Sequence, residues 1–69
     1  MDFMAILALI GKGLTVAQAL YEAGQTAEPA IKALLGVVTG AQQGEVTDEQ
    51  LAETEALLDK LIEDFNLDI

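Results

Sequence analysis

"FMAILALIGKGL", residues 3–14, decides how this chain folds. Eight apolar residues, Phe3 to Ile10, run into Gly11-Lys12-Gly13, and the apolar pattern then resumes as far as Tyr21. Phe3, Leu7, Ile10, Leu14, Ala17 and Tyr21 recur at alternating steps of four and three, the spacing of a helix seam that faces another helix. Ile6, Leu9, Gly13, Val16 and Leu20 make a second apolar stripe beside the first. A helix that is apolar over so wide an arc is buried on several sides. One small fold does not supply all of those sides. The spacing therefore predicts a helix over 3–23 that lies partly against other subunits or another protein. Gly11 and Gly13 weaken its middle by up to about 1 kcal/mol each.

Two other readings of the stretch are weaker. A secretory signal needs positive charge ahead of its apolar run, and here Met1-Asp2 is acidic and the first lysine comes after the run. A membrane span needs about 20 mainly apolar residues. Phe3 to Leu20 approaches that length, but Lys12 near its centre costs about 2.5–3.5 kcal/mol on insertion scales. Thr15 and Gln18 weaken the span further. A membrane-associated or holin-like protein is the alternative reading.

Beyond Gly24, a plausible helix stop, Thr26 is expected to cap a second helix with Pro29 in its first turn. Ile31, Leu34, Leu35 and Val38 form its apolar face, and Glu28 and Lys32 stand four apart in the favourable order. This helix is expected to end near Thr39 or Gly40. "GAQQGE", residues 40–45, reads as a linker, and Gly36, in a G-x-x-x-G spacing, is a candidate for close helix approach.

Thr47-Asp48-Glu49-Gln50 fits a capping box at the start of a third helix, expected over 48–65. Leu51, Leu58, Leu61, Ile62 and Phe65 form its apolar stripe, with Leu57 at the edge and most of the acids elsewhere. Asn66 is expected to end it, leaving Leu67 and Ile69 in a frayed apolar tail. The layout is an apolar helical hairpin over 1–40, a linker over 41–46 and an acidic amphipathic helix over 47–69. The expected fold class is all-α, with two to three helices whose core is completed by oligomerisation or by docking on a partner.

Composition narrows the function. The chain has 69 residues, 52% of them apolar, and a formal net charge of −9. Residues 1–40 carry three acids and two lysines, and residues 41–69 carry nine acids and one lysine. Three lysines and no arginine give no basic footprint for phosphates, so nucleic acid is excluded as a partner. An anionic lipid surface is disfavoured on the same ground. Without Cys or His there are no disulfides and no usual zinc ligands, and without Ser no triad can form. Pairs such as Glu49/Glu53, Asp59/Glu63 and Glu45/Glu49 could hold a hard cation, but acids at this spacing read as a solvated helix face. No enzyme activity, cofactor or metal is expected. A chain of this size has a marginal core and usually adds a disulfide, a metal or a partner. Here the partner remains.

The stretch "VTDEQLAETEALLDKLIEDFN", Val46 to Asn66, resembles the acidic C-terminal helix of small tailed-phage virion-associated proteins, with the pattern T-x-E-Q/W-x-x-L-E-x-x-x-D behind an apolar N-terminal half. It covers about a third of the chain. The resemblance implies a minor virion component or assembly protein located in the virion, and it carries over no functional residue. Outside that resemblance the expected location is cytoplasmic. The expected function is that of a non-catalytic structural or interaction subunit. Its partners are other protein subunits, in a homo-oligomer or larger assembly, met through Phe3, Leu7, Ile10, Leu14, Tyr21, Ile31, Leu35 and Val38.

Overall fold

A computed structural model describes residues 3–69, so Met1 and Asp2 of the expected 1–40 segment lie outside the described residues. The fold is all-α: α1 spans Phe3–Glu22, α2 Glu28–Gln42 and α3 Asp48–Asp64. The short connections reverse the chain twice. Ile10 meets Val38 and Gly13 meets Leu34, so α1 and α2 run antiparallel. Lys12 meets Glu55, and Ala19 and Glu22 lie beside Phe65 and Asp68, so α3 runs parallel to α1.

All three helices stop in the same way. After α1, the Gln25 amide donates to the Leu20 carbonyl and the Gly24 amide to that of Tyr21. After α2, Glu45 and Gly44 donate to Gly40 and Ala41, and after α3, Leu67 and Asn66 donate to Ile62 and Glu63. Each is a Schellman motif with a left-handed residue just past the helix: Gly24 (φ 78°), Gly44 (φ 69°) and Asn66 (φ 52°). Gly44 is thus the stop of α2, and α2 runs through Gln42 instead of ending at Thr39 or Gly40. The first two residues of the expected 41–46 linker are helical. Likewise, α1 ends at Glu22 and α3 at Asp64, each one residue short of expectation.

The starts differ. Thr47 makes the expected capping box: its hydroxyl accepts from the Gln50 amide at 3.1 Å, and Gln50 Oε1 accepts from the Thr47 amide at 3.0 Å. Thr26 does not cap α2. Ala27 holds the cap position with no side-chain bond, and the Thr26 hydroxyl instead accepts from the Glu28 amide at 3.3 Å. Pro29 fits beside it because the first-turn amides of a helix lack partners in any case.

The core takes the second stripe of α1. Ile6, Leu9, Val16 and Leu20 pack with Ala30 and Val37 of α2, Val46 of the loop, and Leu58 and Leu61 of α3. Val16, Leu20 and Leu58 are fully buried. Among the described residues no polar or charged side chain is buried. Gly13 sits where a Cβ would run into the Leu34 side chain, which lets α1 and α2 approach closely. Gly36, the expected close-approach position, faces open space. The close approach in its G-x-x-x-G spacing falls at Gly40, where a Cβ would stand 3.0 Å from Val46 Cγ2. On α3, Leu51 and Ile62 are half-buried, while Leu57 and Phe65 are more open, 42% and 41% exposed. Leu67, expected in a frayed tail, folds back against the core, as the apolar residue of a Schellman motif commonly does.

Candidate interaction face

With the Ile6–Leu20 stripe turned inward, the Phe3–Tyr21 seam is turned outward. Phe3, Leu7, Leu14 and Tyr21 of α1 and Ile31 and Leu35 of α2 are 46% to 79% exposed. Ile10 and Val38 are half-buried. These eight are the residues expected at an interface. The structure brings Phe3, Leu7, Ile10 and Val38 together around a groove of about 310 Å³ between α1 and α2, with Ala41 and Gln42 on its far wall. Leu14 continues the α1 side by one turn, and Leu35 and Ile31 continue the α2 side from Val38 at helical spacing. Tyr21 stands at the far end of the seam. The sequence reading missed Ala41 and Gln42 because it ended α2 too early. The glycine at 44, with the left-handed stop it permits, was the signal for the longer helix.

This face holds no charge among its eight residues, and α3 contributes nothing to the groove. The one lysine of α1 points elsewhere. Lys12 reaches α3, donates to Asp59, and stands 3.7 Å from Glu55. The hydrogen bond to Asp59, aided by the charges of Asp59 and Glu55, holds the ammonium above its ordinary value near 10.5. The lysine that interrupts the apolar run in sequence is therefore spent on the α1–α3 contact and leaves the outer seam uninterrupted.

Taking about 200 Å² for a large apolar residue in water, the six exposed residues present on the order of 700 Å². Soluble monomers rarely expose a contiguous apolar patch beyond a few hundred Å². The total accessible surface of 4624 Å² also exceeds the roughly 4,200 Å² expected of a compact monomer of this mass.

The other surfaces offer less. A groove of about 360 Å³ between α2 and α3 is lined by Lys32, Gln50, Glu53 and Thr54 beside Gly36, Val37 and Leu57. The Thr54 hydroxyl in it donates to the Gln50 carbonyl at 2.9 Å. Among the described residues no three acidic side chains converge as metal ligands would. No protein-family model matches the chain, and no curated protein and no solved structure matches it.

Proposed function

We propose that this chain is a non-catalytic interaction subunit that works by burying the α1/α2 face against other protein. The observation that carries the reading is the uncharged outer seam of α1 with Ile31 and Leu35 beside it, left in water after the chain has closed its own core. Burying such a surface stabilises an assembly by about 25 cal/mol per Å² before association costs. The resemblance of Val46–Asn66 to acidic helices of tailed-phage proteins supports a virion component or an assembly factor. The nine-to-one ratio of acids to lysine beyond residue 40 suits a helix facing water or a basic neighbour.

A second reading has its own support. α1 has the length and apolar character to cross a membrane, and only 28% of its most apolar window is buried. The engagement of Lys12 with α3, and the net charge of −9, favour protein as the occupant of the face.

The test compares the wild type with Leu14→Glu/Leu35→Glu by sedimentation without detergent. The wild type should sediment heavier than one 7.3-kDa chain, and the variant should keep its helix content and sediment as one chain. A wild type that is a single folded chain at micromolar concentration overturns the reading. Flotation of the wild type with zwitterionic vesicles, lost in the variant, replaces it with the membrane reading.

A further inference from the structure

We infer that the occupant of the α1/α2 face is a second copy of this chain, laid antiparallel across it about a two-fold axis that passes α1 near residue 12. The inference rests on the interaction-subunit reading above and names its partner.

Area is the first argument. Specific interfaces bury about 800 Å² per partner, and the six exposed apolar residues alone present on the order of 700 Å². One further copy therefore suffices to cover the face, and a two-fold dimer uses the same patch on both sides.

Charge is the second. The face is uncharged, and the −8 of residues 41–69 belongs mainly to α3, which packs outside the groove. Two copies joined at α1/α2 have their α3 helices on opposite outer surfaces. Three helix layers at 8–10 Å each separate them by about 25 Å. That is beyond the screening length of about 8 Å at physiological salt, so the acidic helices do not oppose the pairing. No charged side chain lines the groove to select an acidic or a basic partner, and Glu28 and Lys32, which flank Ile31 and Leu35 on α2, pair with each other at 2.9 Å.

Spacing is the third argument. The seam positions 3, 7, 10, 14, 17 and 21 are symmetric about residue 12. Antiparallel pairing of α1 with its copy sets Phe3 against Tyr21 of the second copy, Leu7 against Ala17, and Ile10 against Leu14. Each contact occurs twice. The aromatic pair closes both ends, where offset or edge-to-face ring packing is favourable. Large Leu7 meets small Ala17, as interdigitating helices require. Antiparallel helices also align their dipoles favourably.

The chain has no cysteine, so introduced thiols report the pairing without background. Phe3 and Tyr21 are 18 residues apart on α1, about 27 Å along the axis. Phe3→Cys and Tyr21→Cys chains, mixed under mild oxidation, should give at least about tenfold more covalent dimer than either chain alone. The geometry sets this contrast, because in the antiparallel dimer identical positions stand about 27 Å apart. Leu7→Cys with Ala17→Cys is the second pair, and helix content by circular dichroism verifies that each variant is folded. Phe3→Cys linking to itself as readily as to Tyr21→Cys overturns the antiparallel pairing. If no combination links while the wild type still sediments as an assembly, the antiparallel two-fold pairing is overturned and the interaction-subunit reading stands. Sedimentation as a single chain overturns both.

Discussion

The closeness of α1 and α2 makes a sharp contrast between two glycines. In a helix interior, Gly→Ala gains about 0.5–1 kcal/mol from backbone entropy and propensity where the new methyl is free. Gly36 is such a site: it lies within α2, with nothing within 4 Å of a would-be Cβ. Gly13 is the opposite case. A Cβ there would fall within or at 3.0 Å of three carbons of Leu34, itself only 7% exposed, so the side chain has to leave its place in the core. Overpacking of this kind costs about 1–3 kcal/mol. Against the same propensity gain, Gly13→Ala nets between about zero and about 2.5 kcal/mol of destabilisation. Each kcal/mol is worth about 4–8 °C in a domain of this size. At one fixed protein concentration, thermal unfolding should therefore place Gly36→Ala about 2–8 °C above the wild type and Gly13→Ala level with it or up to about 20 °C below. In a Leu34→Ala background the clash is gone, and Gly13→Ala should turn stabilising. Gly13→Ala as favourable as Gly36→Ala in the wild-type background would refute the close α1–α2 packing.

Other expectations follow from the same structure. Leu58→Ala, at a fully buried site, should cost about 2–5 kcal/mol, whereas Glu53→Gln on the exposed side of α3 should change stability by less than about 0.5 kcal/mol; equal effects in chemical denaturation would sink the assignment of faces. Thr47→Ala removes the capping hydroxyl of α3 and should cost about 1 kcal/mol, with Thr47→Ser retaining most of it. Lys12 is held above its ordinary value in the fold, so its stabilising contribution, at most about 1 kcal/mol for so exposed a pair, is present in full below pH 10.5 and is lost as the pH rises past the raised value. The stability difference between wild type and Lys12→Gln should hold steady from neutral pH towards 10 and shrink above it. A difference that persists unchanged well above that range would show that the ion pair is not its source.

Much of this was legible in the sequence because local chemistry and tertiary packing agree. Thr47 and Gln50 sit three apart before an apolar run, and that geometry alone defines a capping box. Gly24 and Asn66 can enter the left-handed region at little cost, and both do so. What could not be read was which of two adjacent stripes on α1 would turn inward. Both have helical periodicity and both are apolar. The choice falls to Gly13 and Leu34, since only the stripe containing a glycine lets α2 come close, and that pairing joins residues distant in sequence. The length of α2 was obscured because Gly40 and Gly44 have the same composition but different jobs, one making room for Val46 and the other reversing the chain. Thr26 looked like a cap, but the turn places it one residue too early. The eight residues expected at an interface were legible as a stripe, and the structure leaves six of them exposed and two half-buried. Their being covered in the working protein remains the proposal.

The dependence of thermal stability on protein concentration tests that proposal most directly. If the α1/α2 face is buried against a second copy, the folded state gains by mass action as the chain is concentrated. A tenfold increase is worth about 1.4 kcal/mol per dimer. With an unfolding enthalpy of about 0.7 kcal/mol per residue, that moves the midpoint by about 5 °C. From about 1 to 100 µM the wild type should therefore gain roughly 10 °C, and Leu14→Glu, with a charge at the centre of the seam, should gain almost nothing. A wild-type midpoint that stays constant across that range, with a cooperative transition and full solubility, would contradict the account.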